Sequence, residues 1–196
     1  MKIGAVLASA VLQLHDTQWL GSCWGAKDIH FRVHRDHKSR ARDDKWYLDP
    51  IVDTPYIHRA FALPGLLDQQ AEKTEGVEDL DASFLFDYDK SLFSLGIVLL
   101  ELWYQESFET LQKTVDIRVG LHRSLMEFEA AQELIKRIDR EADLFIGAVR
   151  RCIRGLDCNS TSLSEEECKN EAHRKIVCEL EKYWKACDDR EIMPAT

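Results

Sequence analysis

Residues 33–44 read Val-His-Arg-Asp-His-Lys-Ser-Arg-Ala-Arg-Asp-Asp. Within them, His34-Arg35-Asp36 is the tripeptide in which an aspartate takes the proton of a hydroxyl attacking ATP. That chemistry needs more than one carboxylate. An asparagine five residues on, and a second aspartate in Asp-Phe-Gly, must hold the magnesium ions that neutralise the transferring phosphate. Five residues after Asp36 stands Ala41, and Asp-Phe-Gly does not occur in the chain. The short stretch before His34 has no room for a glycine-rich loop and its lysine. Phosphoryl transfer is mostly positioning and charge neutralisation, so without these parts Asp36 is a charged residue in an exposed connector.

Other candidates are thinner. His30, His34 and His37 cluster within eight residues, and on a strand His30 and His34 share a face. No nearby cysteine completes a zinc ligand set, so a solvated basic loop explains them better. Cys23 with His15 or His30 could be a thiol nucleophile and its base. It stands between Trp19 and Trp24 with no basic surroundings, the setting of an inert, packed thiol. The other cysteines, Cys152, Cys158, Cys168, Cys178 and Cys187, form no Cys-x-x-Cys pair. The expectation is reduced, partly buried thiols in a cytoplasmic protein. Trp19, Trp24, Trp46 and Trp103 could anchor an interface, although Trp103, at the end of an apolar run, reads as core. No residue is assigned a catalytic, cofactor-binding or metal-binding role.

The elements around these residues are mainly helical. The chain has 196 residues, 45% hydrophobic and 31% charged, with a net charge of −9. That suits one folded domain, 1–190, and disfavours nucleic acid as a partner. Residues 3–15 have helical spacing; the Ala-Ser-Ala within them loosely imitates a signal peptide, and a mature helix is preferred. Residues 91–104, Ser-Leu-Phe-Ser-Leu-Gly-Ile-Val-Leu-Leu-Glu-Leu-Trp-Tyr, are too short to span a bilayer and predict a buried helix, with no membrane role. Residues 121–154 predict helix in two pieces. Ser164 and Glu167 predict a capping box opening a last helix, with Cys168, Ala172, Ile176, Leu180 and Trp184 inward. A short β-hairpin is expected near residues 27–50, and 34–82 form a long polar loop region. Charge is uneven there: 32–45 hold six basic against three acidic residues, and 68–90 two against eight.

Several runs together resemble a known fold. Leu14-His15 is similar to the close of the helix before a protein-kinase catalytic loop. Counted without gaps, the His-Arg-Asp slot falls on Gly21-Ser22-Cys23, the Leu-Lys slot on Trp24-Gly25 and the asparagine slot on Asp28. Residues 91–102 resemble the buried kinase-lobe helix that begins Asp-x-Trp-Ser-x-Gly, with Ser91 in the aspartate slot, and residues 148–155 a later helix. The runs Leu7–Leu20, Trp24 with Lys27–Phe31, Pro55–Phe61, Ser94–Trp103, Ala148–Ile153 and His173–Trp184 resemble a family of filamentous-ascomycete proteins with a kinase-like C-terminal domain of unknown function. Some members carry a HeLo-type prion-inhibition domain ahead of it.

This resemblance implies a kinase C-lobe-like helical domain without an N-lobe, beginning abruptly as the C-terminal portion of a longer protein. The catalytic aspartate is replaced by Cys23 and the lysine by Gly25, and Asp28 alone makes a poor magnesium site. The expectation is a non-catalytic regulatory module with no cofactor and a protein partner, in fungal signalling or self/non-self recognition. A secreted, cysteine-paired effector cleaved near Ala10 and a truncated gene product with an exposed apolar face are the alternatives.

Overall fold

Helix α2, Lys90–Tyr104, is the apolar run, and it begins where the chain supplies a cap. Asp89 keeps an extended backbone and its Oδ1 accepts hydrogen bonds from the Ser91 and Leu92 amides, at 2.9 and 3.1 Å. Two of the four orphan amides of the helix start are satisfied in this way. Leu95, Val98, Leu99 and Leu100 along α2 are almost wholly buried. The helix stops at Gln105, which takes a left-handed conformation at φ 57°.

The structure is a computed structural model that describes residues 2–17, 19–20, 24–31, 55–57, 89–117, 122–156 and 163–191. Around α2 stand α1 (Lys2–Leu14), α3 (Phe108–Gln112), α4 (Arg123–Arg137), α5 (Asp143–Arg154), α6 (Glu166–Ala172) and α7 (Cys178–Glu191). One hydrophobic cluster runs through them all, from Leu7, Ala8 and Val11 of α1 to Phe145, Val149 and Ile153 of α5 and Ile176, Val177 and Leu180 at the far end. The described chain is mainly helical. No described helix is long and apolar enough to cross a membrane.

Glycine lets the central helices approach closely. A Cβ on Gly96 would lie 2.6 Å from Ile153 Cδ1 and 3.0 Å from Cys152 Cβ, so α5 lies directly on the α2 backbone. A Cβ on Gly4 would lie 2.9 Å from Leu99 Cδ2, which brings α1 against the same helix. At the far end of α2, Trp103 stacks on Phe145 with ring centroids 4.8 Å apart. Trp103, expected in the core, is partly buried and packs against it.

Two departures from expectation are local. The ladder joins β1 (Ile29–Phe31) to β2 (Pro55–Ile57), antiparallel with His30 opposite Tyr56, so the second strand lies beyond residues 27–50. The charged run after β1 lacks the alternation of a strand, and Tyr56-Ile57 supplies the β-formers. Pro55, without an amide hydrogen, is tolerated because a two-stranded ladder has only edges. The second departure is at the last helix. Its N-cap is Glu165 with no side-chain cap, and Ser164 turns its hydroxyl to Asp16 instead.

That helix contains a turn of another kind. Between α6 and α7 the segment His173–Val177 is a π-turn, with the Cys178 amide donating to the His173 carbonyl five residues back. Cys168, Ala172, Ile176 and Leu180 are all buried at four-residue steps. In an α-helix such a repeat drifts by roughly 40° per step. The π-turn, with more residues per turn, absorbs that drift and keeps the four side chains on the core.

Candidate functional site

The densest polar constellation lies where α1 ends. His15 Nε2 is 2.9 Å from Asp89 Oδ2, and its Nδ1 is 3.1 Å from Asp16 Oδ2. The His15 and Asp89 side chains are only 10% and 11% exposed. Asp89 therefore does two jobs, capping α2 through one oxygen and pairing with His15 through the other. Asp16 is exposed, stands at φ 60°, and accepts the Ser164 hydroxyl proton. The Ser164 hydrogen bond first, and the neighbouring His15 charge, hold the Asp16 carboxyl below its ordinary value. The series Ser164, Asp16, His15, Asp89 ties the approach to α6, the end of α1 and the start of α2.

This is not a hydrolytic triad. In a triad the base accepts a proton from the nucleophile, whereas here the Ser164 hydroxyl gives its hydrogen to a carboxylate. The arrangement can bind helices together and can respond to a proton.

The loop after Trp24 is closed by a hydrogen bond of its own. Asp28, which the resemblance expects in the asparagine slot, accepts the Gly25 amide on its Oδ2 at 2.9 Å and closes the 3-10 turn Ala26–Asp28 that leads into β1. Trp24 is buried, and its Nε1–H has no acceptor among the described residues. His30, on β1, is exposed. Cys23, His34, Asp36, His37 and Trp46 lie outside the described residues. No group of three metal-ligating side chains occurs among the described residues.

The cysteines differ from one another. Cys152 is fully buried, and burial pushes its thiol well above the ordinary value. Cys178 and Cys187 are free and half-buried, with Cys178 Sγ 3.7 Å from His173 Nδ1 at the π-turn. Cys168 is disulfide-bonded, whereas the three other described cysteines are free. This corrects the expectation that every thiol is reduced. Spacing could not reveal it, since no Cys-x-x-Cys marks the pair.

An open groove of about 480 Å³ runs between α1 and α7, lined among others by Lys2, Val6, Ser9, Gln13, Glu181 and Trp184. Lys2 Nζ lies 5.8 Å from the centre of the Trp184 ring, within cation–π range. Trp184, expected inward, is half-buried at this rim. Trp19 is 52% exposed just beyond the His15 cluster.

Sequence reasoning missed the pairing of His15 with Asp89. A usable signal was present, since an aspartate directly before an apolar helical run is an N-cap signature. Aligning the run on the kinase pattern gives the aspartate's place to Ser91 and passes over Asp89.

Over residues 2–187 the chain matches, and belongs to, the family described as a domain of unknown function, DUF7580. No curated protein and no solved structure matches it.

Proposed function

We propose that this domain is a degenerate relative of the protein-kinase C-lobe that works through protein contacts rather than phosphoryl transfer. The observation that carries the reading is the use made of Asp28. In the slot where a kinase loop offers an asparagine to magnesium, Asp28 spends a carboxylate oxygen on the Gly25 amide of its own turn. The order of elements supports the kinship. A helix ending in Leu14-His15, a loop, a two-stranded ladder and a buried glycine-containing helix follow one another, and α1, α2, α5 and α7 then pack together. The exposed Trp19 and the groove holding Val6 and Trp184 are surfaces on which a protein partner can dock. By the resemblance to fungal proteins that pair such a domain with a HeLo-type segment, the setting is cytoplasmic signalling or self/non-self recognition.

The test is thermal unfolding with and without ATP and magnesium, since a ligand of the native state must raise the transition. The expected result is no shift. A rise of several degrees that Asp28→Ala abolishes overturns the non-catalytic reading.

The disulfide at Cys168 favours a second setting, an oxidising compartment, because disulfides are rare in the cytosol. The acceptor sequence Asn159-Ser160-Thr161 fits that setting. Cleavage near Ala10 fits it poorly, because it would remove Leu7 and Ala8 from the core. Intact mass of protein isolated with its thiols blocked, before and after reduction, separates the two. A gain of two hydrogens on reduction favours secretion, and unchanged mass the cytoplasm.

A further inference from the structure

The His15 ring faces a carboxylate oxygen from each of its two nitrogens. A neutral imidazole has one N–H and one lone pair, and only the imidazolium carries a proton on both sides. If the neutral ring donates to Asp89, its Nδ1 lone pair meets Asp16 Oδ2 at 3.1 Å. If it donates to Asp16 instead, the lone pair meets Asp89, whose side chain is nearly buried. Both contacts are attractive together in one protonation state only.

We propose that His15 is a proton-dependent latch between helices. Protonated, it ties the end of α1 to the start of α2 through Asp89 and, through Asp16 and Ser164, to the turn that opens α6. When the ring loses a proton one contact must give, and the two carboxylates are not equally placed to yield. Asp89 is fixed by the Ser91 and Leu92 amides of α2. Asp16 is exposed, sits at φ 60° and can turn to water at little cost. The outer contact therefore releases, and the Ser164 anchor goes with it.

Among the described residues, the charged groups that act here are Asp89 at the start of α2, Asp16 from the turn after α1, and Lys169 of α6, whose charge acts on Asp16. The released turn is the one that displays Trp19, since the Trp19 amide donates to Thr17 Oγ1 and Thr17 Oγ1 to the Leu14 carbonyl. Proton loss thus loosens an exposed aromatic and the α6 approach while the α2–α5 core stays closed.

Hydrogen exchange read by mass spectrometry on the whole chain tests this, at about pH 5.5 and about pH 8. After correction for the intrinsic pH dependence of exchange, peptides covering His15–Leu20 and Leu163–Lys169 are expected to lose protection roughly five- to tenfold at the higher pH, the scale of one ordinary net hydrogen bond. Peptides from α5 are expected to stay unchanged. His15→Gln is expected to open the same peptides at both pH values. Asp16→Asn, a surface change that leaves the Asp89 contact and the fold in place, is expected to abolish the pH difference. Equal protection of the wild type at both pH values overturns the proposal. So does an equal loss in α5, or a pH difference that persists in Asp16→Asn.

Discussion

Asp89 and Gly96 lie within two turns of each other along α2, and each governs how that helix meets a neighbour. At Gly96 the contact is apolar and close: the missing Cβ is the space that Ile153 and Cys152 of α5 fill. At Asp89 the contact is polar and directed, with one oxygen on the α2 amides and the other on His15 of α1. The first kind of contact depends on shape and apolar burial and involves no charged group. The second depends on charge state, and it is satisfied only while every partner stays in place. A single helix thus carries a rigid seam at its centre and a conditional one at its N-terminus.

The comparison is tested most severely at its apolar end. Phe145→Ala removes a ring with no exposed surface that stacks on Trp103. The expected loss is about 3–5 kcal/mol, read from urea unfolding. Gly96→Ala is expected to cost about 1–3 kcal/mol by overpacking. Ile153→Val, which deletes the carbon nearest the new methyl, is expected to recover part of that loss in the double variant. If the two changes are simply additive, the close approach is not what Gly96 provides.

At the polar end, Asp89→Ala removes the cap, and its expected cost is about 1–2 kcal/mol. Asp89→Asn keeps a capping oxygen but not the charge, so it separates the cap from the His15 contact. The smallest effect is at Asp16. Its carboxyl is depressed in the folded chain, so its contribution is present above the ordinary aspartate value of 3.8 and fades as pH falls through the lower, folded value. Ser164→Ala removes the largest cause of that depression and is expected to flatten the acid limb of the melting-temperature profile. An unchanged limb means that Ser164 contributes nothing there.

The two seams also differ in how far the amino-acid sequence discloses them. The apolar periodicity of residues 91–104 and 121–154 marks α2, α4 and α5 to within a few residues of their ends, because burial of one face leaves its spacing in the chain. The His15–Asp89 contact leaves no such trace. It joins residues 74 apart, and seven histidines among many acids give no reason to choose one pair. The missed cap at Glu165 has the same origin. Ser164 fits a capping box by local spacing, but a carboxylate 148 positions away takes its hydroxyl. Local rules identify the element there, and a distant partner decides what the side chain does.

The π-turn at His173–Val177 makes this last helix a device with a set phase. Everything after it, including Leu180 in the core and Trp184 at the rim of the groove, is rotated relative to Cys168 by an amount that the extra residue in the turn determines. Deleting one residue inside the turn allows a continuous α-helix, which would by itself be the better-bonded backbone. A continuous α-helix that kept every residue would instead turn α7 by roughly 100° against α6, so that Leu180 leaves the core and Lys2 loses Trp184. The irregular turn is therefore the place where the helix takes up one residue more than regular α-geometry would hold, without moving the core face of α7.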